Sequence, residues 1–364
     1  MRFIKKNAFM CIAFLCATIT CIIVPPDKSY ANYFDLKTLT CLFCILAVVC
    51  AFKDIHLFQI VAGKIVCMFK NTRSAILALV YITLIGSMLI TNDMALITFL
   101  PLSYFVLTST NNSKYMAFTF IMQDIAANLG GMIAPFGNPQ NLYLYTYFNI
   151  PNNTFIRIMF LPFIISVFLI TICCLFVKKE PLIINDSADN KLNKKRAFVY
   201  TLLLALSVAI VFRFIPYYYG LIIIVASLLL MDKKALLQVD YPLILTFCAF
   251  FVFSGNMARI PEVHNLLGKI VEKNTLLSGV LASQVISNVP SAILLSKFTD
   301  NYGELLVAVN IGGAGTLIAS LASLITYREF IKIEPEKSRK FITEFSVLNF
   351  GFLFVLTVVM YFVI

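Results

Sequence analysis

The sequence predicts an all-α, polytopic membrane protein with inverted repeats, two re-entrant hairpins and two interrupted transmembrane helices. Three observations predict this fold class. Of 364 residues, 60% are hydrophobic and only 13% are charged, which leaves too little polar surface for a soluble domain. Apolar runs recur along the whole chain. Two of these runs are broken by glycine and polar residues in a matching order.

The apolar runs give the predicted order of elements. Because about 20 apolar residues cross a bilayer core, each run is interpreted as a spanning or partly spanning helix. The runs occupy residues 8–24, 38–52, 74–90, 94–108, 115–149, 155–177, 197–213, 219–231, 242–258, 275–286, 289–298, 304–327 and 343–364.

The chain then divides into three parts. The first repeat covers 1–177 and contains the hairpin 74–108. A basic cytoplasmic linker and a helix that inverts the topology cover 178–213. The second repeat covers 214–364 and contains the hairpin 275–298.

The chain lacks the usual signatures of an enzyme. The ten cysteines lie mostly in apolar runs without metal-ligand spacing, so we interpret them as small buried hydrophobic residues. The only histidines are His56 and His264, which leaves no HExxH motif, no pair of haem ligands and no histidine-based triad. We therefore predict no enzymatic activity and no cofactor apart from a coupling ion. The start, MRFIKK before an apolar run, could be a secretory signal, but the topology requires it as a helix.

The positions of the basic residues predict the orientation in the membrane. The net charge of +11 could suggest nucleic acid, but in a membrane protein lysines and arginines collect on the cytoplasmic side. With a cytoplasmic amino terminus, a first hairpin opening inward and a second opening outward, 21 of the 29 basic residues lie inside. The carboxyl terminus then lies outside, and we expect a bacterial inner membrane and no nucleic-acid partner. Charge does not distinguish re-entrant hairpins from fully spanning ones.

An internal repeat supports the re-entrant interpretation. Three landmarks of the first half recur in the same order in the second half. They pair Gly63-Lys64-Ile65-Val66 with Gly268-Lys269-Ile270-Val271, Thr91-Asn92-Asp93 with Ser287-Asn288-Val289, and Asn128-Leu129-Gly130-Gly131 with Asn310-Ile311-Gly312-Gly313. Four crossings plus the helix 197–213 turn the second half upside down, which is the architecture of secondary transporters.

The two breaks, 130–141 and 312–323, are candidate ion sites. Irregular chain at membrane depth survives only inside protein or beside a water-filled cavity. The N–H groups of the half-helix after a break favour an anion, and the carbonyls before it favour a cation such as sodium. The predicted structural breaks are Gly130, Gly131, Gly312, Gly313 and Gly315. Either glycine pair alone is better explained by helix packing, but the paired arrangement with asparagine and serine favours an ion site.

The hairpin tips and two acids are further candidates. The tips supply amide and hydroxyl groups, and Pro290 fits the first turn of a new half-helix. Thr91, Asn92 and Asp93 could also cap the helix that follows them. Asp93 and Asp124 could bind a coupling cation or accept a proton, with a structural hydrogen bond as the alternative for Asp124. An ionised Asp93 would repel a dianion, which favours protonation, a bound cation, or a neutral or cationic solute.

The order of "TNDMALITFLPL", "NLGGMIAPFGNPQN", "SNVPSAILL" and "NIGGAGTLIAS" resembles the ion transporter superfamily. That group includes citrate transporter-like proteins, divalent anion–sodium symporters, arsenite permeases and one class of sodium–proton antiporters. The resemblance covers about residues 35–360 and implies a homodimer in which tips and interrupted helices bind solute and sodium or protons. The matching positions are Thr91, Asn92, Asp93, Gly137, Asn138, Pro139, Gln140, Asn141, Ser287, Asn288, Val289, Pro290, Thr316 and Ser320.

Two departures from the family pattern bear on the solute. The tips are closer to the arsenite and sodium–proton branches than to the Ser-Asn-Thr tips of dicarboxylate symporters. Leu317 also stands where the first half has Pro135. The sequence thus predicts a secondary active transporter of a small anionic solute, a carboxylate or inorganic oxyanion, coupled to sodium or protons by alternating access. The alternatives are an arsenite efflux permease, a sodium–proton antiporter, and a membrane scaffold or enzyme subunit, which would not need mirrored polar breaks.

Overall fold

The computed structural model describes residues 7–181 and 193–364. Throughout these two ranges the chain consists of α-helices and short 3₁₀ turns, and none of the described residues forms a named strand. Several of the helices are long and apolar enough to span a membrane. The prediction of an all-α polytopic membrane protein is therefore confirmed. The basic residues Arg2, Lys5, Lys6 and Lys191 and most of the linker lie outside the described residues.

Apart from α3, the helices of the first half and the connecting helix follow the predicted runs closely. They are α1 Ala8–Ile23, α2 Leu36–Asp54, α3 Leu57–Val66, α4 Thr72–Ile90, α5 Asn92–Ser109, α6 Met116–Gly130, α7 Pro139–Tyr147, α8 Asn152–Leu175 and α9 Lys194–Val211.

The helices of the second half are α10 Tyr217–Met231, α11 Lys233–Leu237, α12 Tyr241–Arg259, α13 Pro261–Lys273, α14 Thr275–Ile286, α15 Asn288–Leu295, α16 Tyr302–Ile311, α17 Leu321–Ile333 and α18 Ser338–Val363. By length and composition, six segments within the described ranges could each cross a membrane. They are Leu36–Asp54, Thr72–Ile90, Ser113–Ile133, Asn152–Leu175, Tyr241–Arg259 and Pro335–Val363.

The order of elements in α2–α8 recurs in α12–α18. Each series runs through a long helix, a shorter helix, a helical hairpin, a helix in two pieces and a long final helix. The shorter helices, α3 and α13, were absent from the predicted runs, which is a correction. Both carry the repeated Gly-Lys-Ile-Val, but polar and charged residues interrupt their 10 and 13 positions, so neither forms an apolar run. The inversion of the second half, the re-entrance of the hairpins and the domain bounds stay predictions.

Close helix contacts place each hairpin against its broken helix. A Cβ atom on Gly130 would lie 2.7 Å from the Leu84 carbonyl oxygen and 2.8 Å from Ser87 Oγ of α4. A Cβ atom on Gly312 would likewise lie 2.8 Å from Ser283 Oγ of α14. The first glycine of each pair therefore serves helix packing, and it brings the hairpin against the chain just before the break.

The connection between α1 and α2 is fastened to the end of α12. The Arg259 guanidinium donates to both carboxylate oxygens of Asp27, at 3.2 and 2.7 Å, and this bond lowers the pKa of Asp27 to about 2. Asn256 donates to Tyr30 Oη at 2.9 Å in the same region. These contacts hold the loop against α12, the helix that leads through α13 to the second hairpin.

Candidate functional site

The two hairpin tips share an unusual backbone conformation. Thr91 has φ 73° and ψ 154°, and Ser287 has φ 76° and ψ 154°. This region is essentially reserved for glycine, so both tips are strained. Thr91 and Ser287 occupy the cap positions before α5 and α15, but neither side chain makes a capping hydrogen bond to the helix that follows. The fold holds each tip in the same strained shape.

The second half-helices begin earlier than predicted. α7 begins at Pro139 and α17 at Leu321, each two residues before the predicted end of its break. Pro139 occupies the first helical position, where its fixed φ suits a helix start. In the second half, Ser320 Oγ accepts from the backbone N–H of Ala322 at 3.1 Å and caps the helix.

Protein amides satisfy carbonyl groups in both breaks. Asn141 Nδ2 lies 3.4, 3.1 and 3.2 Å from the carbonyl oxygens of Gly131, Met132 and Ala134. In the second break, Gln284 Nε2 donates to the carbonyls of Gly312 and Ala314. These five carbonyls are therefore not bare, and a cation site at the carbonyls of the breaks stays a prediction.

Two asparagines at the ends of the first half-helices join the two halves. Ser320 Oγ donates to Asn128 Oδ1 at 2.7 Å, and Asn138 Nδ2 donates to Asn310 Oδ1 at 3.2 Å. Each contact links the end of one half-helix to the residue preceding α17 or α7 in the opposite half. The two contacts exchange when the halves are swapped, as contacts across a two-fold axis do. All four side chains are at most 2% exposed.

Four helix amino termini meet at one small cavity. Its lining includes the first residues of α5, α15, α7 and α17, namely Asn92, Asn288, Pro139 and Leu321. The cavity measures about 10 Å³, room for roughly one water molecule. Among the described residues that line it, Asp93 alone is ionisable.

A larger cavity adjoins the small one on the side of the first tip. It measures about 350 Å³, and Asp93, Pro139 and Leu321 line both spaces. Thr91 lines the larger cavity as well. Its wall also includes Arg328, near the carboxyl end of α17, and Asp240, the residue before α12.

Several buried polar atoms around this cluster lack a hydrogen-bond partner. Four are side-chain oxygen acceptors and one is an amide donor. Buried polar groups are normally paired, so a group of unpaired ones indicates room for a ligand, an ion or water. The atoms are Asn92 Oδ1, Asp93 Oδ1, Asn138 Oδ1, Gln140 Oε1 and Asn288 Nδ2.

Asp124 is fully buried and lines neither cavity. Its Oδ2 accepts from Ser323 Oγ at 3.1 Å, and its Oδ1 accepts from Asn128 Nδ2 at 3.4 Å and Thr326 Oγ1 at 3.5 Å. This carboxylate therefore makes the structural hydrogen bonds that were the alternative to a coupling role. The coupling role of Asp124 itself stays a prediction.

The structure brings most of the predicted residues to one place, and their role in binding stays a prediction. Thr91 lines the larger cavity, and the smaller one is lined by Asn92, Asp93, Pro139, Gln140, Ser287, Asn288, Val289 and Ser320. Five other predicted positions line neither cavity, namely Gly137, Asn138, Asn141, Pro290 and Thr316. Gly137 packs on Gly131, where an added Cβ would lie 2.2 Å from the Gly131 carbonyl oxygen. Pro290 falls in the first turn of α15, as expected.

Comparison with known proteins identifies the family. Residues 4–304 match the citrate transporter family, CitMHS. The chain belongs to the citrate transporter family. It is 34% identical over 328 residues to the uncharacterized transporter MJ0456 of Methanocaldococcus jannaschii, covering 89% of this chain and 90% of that one. It is 27% identical over 335 residues to the inner membrane protein YbiR of Escherichia coli K12, covering 90% and 89% of the two chains. The superfamily resemblance seen in the motifs is confirmed.

In this member of the citrate transporter family, the sequence analysis did not select four residues that bond the breaks or Asp124. They are Asn128, Asn310, Ser323 and Gln284. Asn128 and Asn310 stand inside the repeated Asn-x-Gly-Gly motif, so their recurrence in two apolar runs was a usable signal. Ser323, which binds Asp124, lay at the predicted end of a break. Gln284 was visible only as an amide in the apolar run before the second tip.

Proposed function

We propose that this protein is a secondary active transporter that moves a small anionic solute together with a coupling cation by alternating access. The solute class is a carboxylate or an inorganic oxyanion, and the coupling ion is sodium or a proton. One observation carries the proposal: four helix amino termini converge on a small cavity that also borders unpaired amide and carboxylate oxygens.

The helix amino termini support an anionic solute. Each directs the partial positive charge of a helix amino terminus toward the cavity, and this charge favours an anion without a basic side chain. No lysine or arginine is among the described residues of the small cavity. Asn288 Nδ2 is an unpaired donor at the same place. Backbone dipoles and amides would therefore hold the anion.

The unpaired oxygens support a coupling cation. Asp93 lines the same cavity, and its carboxylate would repel an anion unless a proton or a cation neutralises it. Carboxylate and amide oxygens are suitable ligands for a hard cation. Asp93 and three amide oxygens are unpaired at the cluster. We assign Asp93 as the coupling residue, which is either protonated or bound to sodium.

The exchange symmetry of the central contacts supports alternating access. The bonds Ser320–Asn128 and Asn138–Asn310 are equivalent when the halves are swapped, so each half contributes the same pair of positions to these central contacts. The predicted inverted repeats would open alternately to the two sides of a membrane. We propose that the transporter works as a homodimer in a bacterial inner membrane. The acid at the first tip favours two alternatives, arsenite efflux and sodium–proton exchange. The uptake test separates both from the proposed anion transport.

The test measures transport in proteoliposomes under imposed sodium or proton gradients. Radiolabelled citrate, succinate and arsenite are supplied separately, and sodium-driven acidification is recorded in their absence. We expect uptake of an anion only with a gradient. Sodium–proton exchange in the absence of any solute, or anion uptake that does not depend on an imposed gradient, would overturn the proposal.

The tip residues are tested in the same assay. Asn92→Ala and Asn288→Ala should each lower uptake at least roughly tenfold, because each removes an amide from the cavity wall. Asn349→Ala is the matched control, since Asn349 is a buried asparagine of α18 that lines neither cavity. Size-exclusion profiles check folding. Full uptake by both tip variants would remove the tips from the mechanism.

A further inference from the structure

The two tips have the same backbone shape but are fastened differently to their broken helices. At the second tip, the backbone N–H of Asn288 donates to the Ala319 carbonyl at 2.9 Å, and Ser287 Oγ donates to the same oxygen at 3.2 Å. Between the first tip and the first break, no such backbone bond exists in the described chain. There Asn92 Nδ2 reaches Asn128 Oδ1 at 3.2 Å, at the end of α6.

Gln284 of α14 braces the second break. Its Nε2 donates to the carbonyls of Gly312 and Ala314 at 2.8 and 3.0 Å, and its Oε1 accepts from the Thr316 N–H at 2.8 Å. Thr316 Oγ1 returns a bond to the Gln284 carbonyl at 3.0 Å. Both ends of the side-chain amide are thereby bonded to the irregular segment between α16 and α17.

Two glycines make room for this brace. Gly315 has φ 120°, and an added Cβ there would lie 2.1 Å from Gln284 Oε1. An added Cβ on Gly313 would lie 2.9 Å from Asn288 Nδ2. The second break therefore fits closely around the amides of Gln284 and Asn288. The predicted structural glycines of this break act as contact surfaces for the hairpin.

Among the described residues of the first half, no side chain of the hairpin bonds the first break in this way. The repeat aligns Gln284 with Met88, whose side chain cannot donate a hydrogen bond to a carbonyl. Asn141 caps the carbonyls of the first break, but it belongs to α7 and so joins the broken helix to itself. The first tip also borders the cavity of about 350 Å³ through Thr91 and Asp93.

We propose that Gln284 is a positioning residue that makes the second tip and the second break one rigid half-site. The first tip, in contrast, rearranges when solute fills the cavities beside it. Gln284 itself lines neither cavity. It acts through Asn288 and the start of α17, both of which line the small cavity. The inference rests on the proposed function in one respect, namely that the small cavity is the solute site. A half-site fixed in advance loses less conformational freedom on binding, which raises affinity.

Hydrogen–deuterium exchange of the purified full-length protein in nanodiscs tests the inference without any solute. In the unsubstituted protein, amides of 88–95 should exchange on the order of tenfold faster than amides of 284–291, since only the second tip is bonded to its break. Equal exchange, or a slower first tip, would overturn the proposal. This comparison needs no variant, so a folding failure cannot obscure it.

Gln284→Met reproduces the first-half residue at the second tip. We expect exchange over 312–320 to rise about tenfold, because three hydrogen bonds to that segment are lost, and exchange over 131–138 to stay unchanged. Ser278→Ala, on the same helix, is the matched control and should change neither segment, because the Ser278 hydroxyl donates to the Ile270 carbonyl, away from the break. Unchanged exchange over 312–320 in Gln284→Met would also overturn the proposal.

A transport measurement separates positioning from a general structural role. With citrate and sodium as probes, Gln284→Met should raise the half-saturating citrate concentration about tenfold and leave that of sodium within about twofold. The reason is that the unpaired oxygens lie mainly in the first half. Equal rises for both probes would contradict the positioning role. If the unsubstituted protein takes up no citrate, the carboxylate form of the proposed function fails, and the exchange data still decide the role of Gln284.

Discussion

At the scale of single residues, the tips store strain where polar groups face a cavity. Thr91 and Ser287 carry a Cβ atom at φ values of 73° and 76°, a conformation that costs on the order of 1–3 kcal/mol. The same angle recurs at both tips, so it follows from how a helical hairpin must turn here. The turn brings the first residues of α5 and α15 to the same cavity.

Replacing Thr91 with glycine should relieve the strain at the first tip. We expect Thr91→Gly to stabilise the detergent-purified protein by about 1 kcal/mol, the relieved strain less the extra freedom of glycine in the unfolded chain. Thr91→Ala keeps a Cβ atom and should give no such gain. The chain contains no tryptophan, so thermal unfolding is followed by circular dichroism or light scattering, and the midpoints of the two variants are compared. Equal midpoints for the two variants would show that the backbone angle is not strained.

Asp93→Asn should separate solute binding from ion coupling. The substitution keeps the shape of the side chain but removes the carboxylate that we assign to the coupling ion. We expect uptake to lose its stimulation by a sodium or proton gradient by at least roughly tenfold, because neither ion gains a charge partner. Asp300→Asn, at an exposed position outside both cavities, is the control. Retained coupling in Asp93→Asn would assign the coupling ion elsewhere.

Sequence patterns located the tip residues but not their partners. Asn92 and Asn288 were predictable because each follows a hydroxyl residue at a matching place in two repeats. The partners of Asp124 and Gln284 were not, since Asp124 binds Ser323 across 199 positions and Gln284 binds Gly312 across 28. Such pairings depend on how helices pack in three dimensions, and a single sequence taken alone contains no record of that packing.

At the scale of elements, the half-helices are too short to be stable alone. α7 has nine residues and α15 has eight, well below the length at which isolated helices persist in water. Burial and caps hold α7 in place: Tyr143 and Tyr145 are almost fully buried, and Arg213 Nη2 donates to the Tyr145 carbonyl at 2.8 Å. A cation at a helix carboxyl terminus is favourable. The segment after α9 thus stabilises the half-helix that begins at the cavity.

Glycine substitutions should distinguish break positions from ordinary helix positions. Gly137→Ala would place a Cβ 2.2 Å from the Gly131 backbone carbonyl oxygen, so we expect a loss of at least about 2 kcal/mol or failure to fold. Gly351→Ala, in α18 with no atom within 4 Å of the new Cβ, should gain about 0.5–1 kcal/mol from helix propensity. Thermal unfolding of both variants gives the comparison. A destabilised Gly351→Ala with a stable Gly137→Ala would contradict the packing of the break.

At the scale of the whole molecule, the element order was more predictable than the lengths and contacts. Composition and apolar runs predicted the spanning helices because a bilayer imposes a minimum apolar length. α3 and α13 carry the repeat but were not predicted, because charged residues such as Lys64 and Lys269 interrupt their apolar character. Irregular chain at 131–138 was predictable from its glycine and proline content, whereas the side chains that bond each break, Asn141 of α7 and Gln284 of α14, were not.

The charge distribution predicts the orientation of the whole molecule in the membrane, and this prediction is open to a direct test. Lys233 and Lys234 precede α12, and Arg339 and Lys340 begin α18, so we place both regions inside. α18 then carries the chain out, and alkaline phosphatase, which is active only outside, should be active when fused after Ile364. The same enzyme inserted after Met231 should be inactive, while green fluorescent protein there should fluoresce. Arg339→Glu with Lys340→Glu should weaken the bias at α18 and lower phosphatase activity after Ile364, since the basic residues anchor that end inside. Phosphatase activity after Met231 but not after Ile364 would reverse the orientation of both hairpins and exchange the sides to which the two tips open.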